Sequence, residues 1–366
     1  MNRLAGIITA NYSTDDMGIL TEERGIASMP FGGRYRLIDF ALSNMVNSEV
    51  DVVGLIMPYK YRSLIDHTGA GSEFTLDRKR GGLNILPGTA FGISNRGSRF
   101  TLRDIRNNNI FFERATEDYF VLTASHFIFN MDFNDMLDYH IKSGADITMA
   151  YTDEIDICHQ ANSIQIENGV VKKINKGSWP GQSTFIDTFI ISRDLLMKII
   201  ECNEAVDYMD FFDLLGQEID RYNVRAYEFN GYVRSIASIN DYYIVNMDLL
   251  KEDVYDSLFI DERPIRTKVQ DCVPSRFLPG SSIVHSLVSS GCNVEGTVDG
   301  SVIFRGCTIE KGATVKNSII MQSCVIKSGA YIEHAIIDRN NVVGSNMTIK
   351  GTKDNLFIME KSGKKR

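Results

Sequence analysis

Arginine gathers near the start of the chain. Arg24 precedes the word Pro30-Phe-Gly-Gly33, Arg34 and Arg36 follow it, and His67 closes Ser63-Leu-Ile-Asp-His67. A guanidinium presents a fork of donors that meets two phosphate oxygens at once, so these residue types suit phosphate binding. Asp39 and Asp66 stand among them, so structural ion pairs are the alternative reading, and for Arg36 an equally good one. The six cysteines, Cys158, Cys202, Cys272, Cys292, Cys307 and Cys324, are widely spaced and contain no Cys-x-x-Cys pair, so neither a zinc site nor a redox motif is indicated.

The elements that must position these residues fall into two regimes. From Leu4 to about Leu250, short apolar runs alternate with stretches of helical period. Leu4 to Thr9, Val52 to Met57, Tyr119 to Ala124 and Ile147 to Tyr151 read as buried parallel strands. Between them, Asn134 to Ser143 reads as a helix, with Asn134 as N-cap and Gly144 as its stop. Ser163 to Ile166 and Val170 to Ile174 flank Asn168-Gly169, a dipeptide that favours a tight hairpin. This alternation predicts an α/β domain over residues 1–250 with a mostly parallel sheet.

Residues 251–280 lack period and long apolar runs and read as a connection. From Ser286 onward aliphatic residues recur at mostly five- or six-residue steps, through Val288, Val294, Ile303, Ile309, Val315, Ile320 and on to Ile349. Two positions before most of them stands a small residue, such as Ser286, Cys292, Ser301, Cys307, Ala313, Ser318 or Cys324. That pattern predicts a parallel β-helix over 281–366, ending in a short basic tail, with three hexapeptides to each triangular coil. The cysteines in this run read as small core fillers. His285 and His334 read as loop residues, with an acyl-transfer base as the sharper alternative.

Composition narrows the class. The 366 residues suffice for about two domains at roughly 150 residues each. With 39 Lys and Arg against 47 Asp and Glu, the formal net charge of -8 argues against broad nucleic-acid binding but leaves room for a local phosphate pocket. No stretch approaches the roughly 18 apolar residues of a membrane span, and no signal-peptide pattern opens the chain. A reducing cytoplasm is the simplest compartment.

Specific words then point to a family. Pro30-Phe-Gly-Gly-Arg-Tyr-Arg-Leu-Ile-Asp-Phe-Ala-Leu-Ser-Asn44, followed by Ser63-Leu-Ile-Asp-His67 and by Met131-Asp132 ahead of Tyr139-His140, resembles the glucose-1-phosphate adenylyltransferases, the ADP-glucose pyrophosphorylases of bacterial glycogen synthesis. The resemblance runs over essentially the whole chain. It implies a Rossmann-like, GT-A-like nucleotidyltransferase domain followed by a left-handed parallel β-helix.

The positions at which the resemblance places chemistry depart from the family. Its glycine-rich phosphate loop is matched by Ile8 to Thr21, with the single glycine Gly18 and the acids Asp15 and Asp16. The lysine that follows is matched by Ile26. Of the two metal-binding aspartates, one is matched by Ser125 in Thr123-Ala-Ser-His126 and the other by Ser235 in Gly231-Tyr-Val-Arg-Ser235. Mg²⁺ is a hard cation held by carboxylates and phosphate oxygens, and two hydroxyls do not supply that field. The sugar-phosphate element appears as Asn175-Lys-Gly177, which leaves Lys176 as a possible phosphate contact.

Together these departures resemble the non-catalytic, GlgD-type partner subunit of the family. The resemblance implies no catalytic residue and no metal or cofactor on this chain, with Mg²⁺ in a catalytic partner. It implies a hetero-oligomer, a tetramer, with a catalytic glucose-1-phosphate adenylyltransferase subunit. It also implies an effector phosphate between the domains on Arg24, Arg34, Arg36, His67 and Arg276, with Asp66 where relatives carry arginine. Neither nucleic acid nor membrane is expected as a partner. Two alternatives stay open: an active nucleotidyltransferase with an atypical metal site built on Asp132 or Asp241, and a stand-alone sugar-phosphate sensor.

Overall fold

The computed structural model describes residues 4–11, 15–57, 60–88, 100–153, 161–179, 181–203 and 209–362. Its first part is built on one nine-stranded sheet. The strands are β1 (Leu4–Thr9), β2 (Val52–Ile56), β3 (Gly82–Leu86), β4 (Tyr119–Ala124), β5 (Ile147–Thr152), β6 (Ser163–Glu167), β7 (Val170–Asn175), β8 (Ser183–Ser192) and β9 (Val224–Glu228). Their order is β3-β2-β1-β4-β8-β5-β9-β7-β6. The four strands from β3 to β4 are parallel, β8 runs antiparallel to both β4 and β5, and β9 returns parallel to β5. Every residue of β1 is buried, as the continuous apolar run requires when both faces of a sheet are covered. The hairpin closes at Asn168 (φ 52°) and Gly169 (φ 75°), both in the left-handed region that such a turn demands.

One boundary differs from the sequence expectation. The helix spans Phe133–Ser143, and its N-cap is Asp132 rather than Asn134. The Asp132 carboxylate accepts from Asn134 N at 2.9 Å. An ionised cap also meets the positive end of the helix dipole, which a neutral amide does less well. On the same helix, burial pulls the His140 imidazole from 6.5 down to about 4, while Nδ1 lies 2.8 Å from Thr148 Oγ1. The unfolded chain therefore takes up a proton near pH 6.5 that the folded chain refuses until about pH 4. Stability should fall as pH drops through that window and level off below it. Urea midpoints measured across the window should show this slope in the wild type and a flatter one in His140→Gln.

The stretch read as a connection carries a helix, Glu252–Leu258, whose Val254 and Leu258 are buried. Beyond it stand three five-stranded parallel sheets, the faces of a left-handed β-helix. All coils but the last are shorter than three full hexapeptides, and the last takes twenty-two residues from Ala335 to Phe357. Thr297, Thr314 and Tyr331 stack at steps of seventeen residues, and Ser282 reaches Thr297 in fifteen. In the first four coils one corner turns on a single left-handed residue, namely His285 (φ 43°), Gly300 (φ 55°), Asn317 (φ 43°) and His334 (φ 47°). The two histidines thus serve as corners, and His334 Nδ1 also lies 3.3 Å from Tyr243 Oη.

The serines and cysteines among the small residues bond inside the coil. Ser286 Oγ accepts from Ser301 N, Ser301 Oγ from Ser318 N and Ser318 Oγ from Ala335 N, each at 3.1 Å. Cys292, Cys307 and Cys324 are buried and form a second ladder, in which each thiol donates to a carbonyl of the next coil at 3.1 Å. Burial pushes the Cys324 thiol up to about 12. Cys158 lies outside the described residues. Among the described residues no helix is long and apolar enough to cross a membrane.

A continuous apolar core joins the two parts. Val302, Phe304, Ile319, Met321 and Ile336 of one β-helix face pack with Leu20, Ile26, Phe31, Phe40 and Tyr242. Two glycines make this approach possible. Gly32 (φ 53°) and Gly33 (φ 79°) turn the chain between Pro30–Phe31 and Tyr35–Arg36, and a Cβ on Gly33 would stand 2.8 Å from Leu287 Cδ2.

Candidate functional site

The strand order reverses at β1, with β2 on one side and β4 on the other. In open α/β sheets the crevice outside the carboxyl ends of such a strand pair is where ligands bind. Here those ends are Thr9-Ala10 and Ala124-Ser125, linked by Ser125 N donating to Thr9 O at 3.0 Å. A short ladder, Phe127–Ile128 with Arg234–Ser235, sets Ser235 opposite Phe127, and Ile236 N donates to His126 O at 2.9 Å. Two segments more than a hundred residues apart are thus tied together, and Ser125 and Ser235 come to the same end of the sheet.

Neither position holds what a divalent cation needs. Ser125 is 0% exposed and Ser235 2%, and Ser125 Oγ has no hydrogen-bond partner among the described residues. Among the described residues no three His, Cys, Asp or Glu side chains gather as a metal site. The residues present do not fit Mg²⁺. The alternative acids are engaged as helix caps. Asp132 caps Phe133–Ser143 as described, and Asp241 accepts from Ala237 N at 3.1 Å and Ser238 N at 2.9 Å ahead of the helix Ile239–Asp248. Of the loop matched to the phosphate loop, residues 12–14 lie outside the described residues, Asp16 is exposed, and Gly18 adopts φ 45°. Ile26 is 2% exposed and belongs to the apolar core between the two parts.

Two further residues meet in this crevice, His126 from the word Thr123-Ala-Ser-His126 and Asp187, which no motif marks. His126 Nε2 lies 3.4 Å from Asp187 Oδ2, and both side chains are fully buried. The signal in the sequence is one acidic residue inside the mostly apolar run Phe185-Ile186-Asp187-Thr188-Phe189-Ile190-Ile191. Lys176 does not join them through any contact of its own. Its ammonium is exposed and donates to Asp213 Oδ2 at 2.7 Å.

The arginines sort differently. Arg24 is buried, and its Nη2 donates to Asp338 Oδ2 of the β-helix at 2.7 Å while Nε donates to Leu20 O at 2.9 Å. Arg36 Nη1 donates to Ser63 O at 2.6 Å and Ser63 Oγ at 3.0 Å. Asp39, in the first turn of the helix Leu37–Asn47, accepts from Arg36 N at 2.8 Å and faces His67 Nε2 at 2.5 Å. Burial, with the Arg339 and Arg24 cations adding to it, draws the Arg36 guanidinium down to about 10 against the opposing pull of Asp39. Arg24, Arg36 and Arg339 therefore share one seam between the domains. Arg34 is exposed, its guanidinium 5.2 Å over the Tyr35 ring.

Arg276 is exposed on the first coil strand, Arg276–Phe277, and the β-helix side of the seam is carried instead by Arg339 and Arg305. Their periodic placement is the signal. Gly306 N bonds Ser290 O, Ser323 N bonds Arg305 O and Asn340 N bonds Gln322 O, so Ser290, Arg305, Gln322 and Arg339 stack as one column. Burial and the Arg34 charge lower the Arg305 guanidinium.

Comparison with known proteins matches the architecture. A nucleotidyl transferase family model matches residues 19–161, and the model of the GlmU-like C-terminal hexapeptide region matches residues 274–355. The glycogen biosynthesis protein GlgD of Geobacillus stearothermophilus is 35% identical over 360 residues, covering 98% of this chain and 96% of that protein. The GlgD of Bacillus subtilis is 31% identical over 312 residues, covering 85% and 82%. The glucose-1-phosphate adenylyltransferase of Geobacillus stearothermophilus is 32% identical over 307 residues, covering 80% and 78%.

Proposed function

Because the chain belongs to the family that unites the GlgD proteins with the glucose-1-phosphate adenylyltransferases, we propose that it acts in glycogen biosynthesis as a non-catalytic, regulatory subunit. Its partner is a catalytic subunit that makes ADP-glucose from ATP and glucose 1-phosphate. The observation that carries this reading is the pair Ser125 and Ser235, buried hydroxyls at the switch point of an otherwise intact nucleotidyltransferase sheet. Loss of both carboxylates removes the charge that would hold Mg²⁺ against the transferring phosphate.

What the chain retains supports a regulatory role. The seam of Arg24, Arg36 and Arg339 lies where the two domains meet, so an anion bound there touches both. A subunit of this kind acts by biasing its neighbour's conformational equilibrium through their shared interface. With Arg24 taken up by Asp338, the seam offers a phosphorylated effector Arg36, Arg305 and Arg339 among the described residues. Co-purification of the chain with the catalytic subunit of its own cell tests the proposal. Native mass spectrometry should show a hetero-oligomer, and its ADP-glucose synthesis should differ from that of the catalytic subunit alone in rate or in response to phosphorylated effectors. Absence of a complex, or an unchanged rate at every effector concentration, would refute it.

A further inference from the structure

Asp187 stands where neither backbone nor surroundings favour it. Inside β8 it adopts φ 49°, a left-handed conformation that glycine tolerates and aspartate rarely takes. The pairing of β8 with β5 shifts register between Phe185 and Phe189, so the strand bulges there. Its neighbour Thr188 pairs with Thr123 of β4, and their hydroxyls lie 2.8 Å apart. That pairing brings Asp187 beside the carboxyl end of β4, where its carboxylate meets His126 Nε2 at 3.4 Å with both groups 0% exposed.

Strained backbone conformations persist where the surrounding structure enforces them, and they cluster at functional sites. Here the strain delivers a carboxylate to the switch-point crevice, next to Ser125. We propose that Asp187, seated on His126, closes this crevice from within, so that the site is blocked as well as stripped of its metal carboxylates. A sugar phosphate or nucleotide entering would have to displace the side chain and then face its negative charge in a site from which water is excluded. His126 serves as the positioning residue that holds the carboxylate in place.

The inference rests on the reading of this crevice as a degenerate nucleotidyltransferase site, and it adds a residue that reading does not need. Calorimetric titration of glucose 1-phosphate and of ADP-glucose into wild type, Asp187→Gly and Asp187→Asn tests it, with circular dichroism melts establishing that each variant is folded. Wild type should bind neither ligand. Asp187→Gly, which relieves the strained φ and removes both bulk and charge, should bind at least about tenfold more tightly than the weakest affinity the titration can detect, and Asp187→Asn, which removes the charge alone, less tightly than Asp187→Gly. A second comparison sets Ser125→Asp/Ser235→Asp beside the same pair carrying Asp187→Gly, and only the triple variant should gain Mg²⁺-dependent turnover.

Wild type binding as tightly as the folded Asp187 variants would overturn the plug, as would turnover by the double variant with Asp187 in place. Folded Asp187→Gly and Asp187→Asn proteins that both fail to bind would overturn it equally. None of those results touches the accessory reading, which falls on other results: no complex with the catalytic subunit, no effect on its rate, or ADP-glucose synthesis by the wild-type chain alone.

Discussion

Asp338→Ala should cost the folded chain about 3–5 kcal/mol, the toll expected when one partner of a buried ion pair is removed. Asp338 and Arg24 are each 4% exposed. Without the carboxylate, Arg24 keeps its hydrogen bonds to Leu20 O at 2.9 Å and Met321 Sδ at 3.9 Å, neither of which carries the charge that Asp338 supplies. Because the pair joins the N-terminal domain to the β-helix, the loss should appear as a lower thermal midpoint for both parts. Replacing both members together, Arg24→Met with Asp338→Leu, should recover most of the stability, since an apolar pair needs no desolvation of charge. If Asp338→Ala melted like wild type, the pair would be solvated and the seam open.

Ile26→Lys is the second large effect, and its direction is the less intuitive one. The family resemblance places lysine at this position, so the change looks like a restoration. In this fold Ile26 is 2% exposed and packed among Leu20, Phe31, Phe40 and the Val302 face of the β-helix. An ammonium placed there has no partner and must either unfold its surroundings or give up its proton, at an expected cost of at least about 3 kcal/mol. Ile26→Val, which only trims a methylene, should cost about 0.5–1.5 kcal/mol. Chemical denaturation of the two variants separates the effects. A lysine tolerated at no cost would mean that position 26 faces an open phosphate site after all.

What the sequence makes legible follows the range of the interactions. The parallel strands β1, β2, β4 and β5 announce themselves by unbroken apolar runs, and the hairpin by Asn168-Gly169, because burial on both faces and a left-handed turn are local demands. The β-helix is equally readable, since each coil repeats the same aliphatic and small positions. Its coils of fifteen or seventeen residues are less so, because the shortening depends on single left-handed corners at His285, Gly300, Asn317 and His334.

The site is where local reading stops. Ser125 and Ser235 are visible as substitutions, yet that they share one sheet end depends on a two-residue ladder across more than a hundred residues. Arg24 looks like a phosphate ligand until Asp338, on a distant coil, takes it up. Arg276 sits in a promising word but ends exposed on the first coil, while Arg339 holds the seam without any motif to mark it. Asp132 and Asp241 resemble spare metal ligands and are consumed by helix ends. Pairing partners far apart in sequence decide each of these cases.

The central claim, that this chain keeps a nucleotidyltransferase fold without its chemistry, is tested most directly by turnover of the isolated chain. The protein would be purified from a host lacking its own glucose-1-phosphate adenylyltransferase and supplied with Mg²⁺, ATP and glucose 1-phosphate at saturation, and ADP-glucose would be measured alongside a catalytic relative. The account predicts no product above background. Mg²⁺-dependent synthesis by the isolated chain would contradict it and would place the metal on residues other than Ser125 and Ser235.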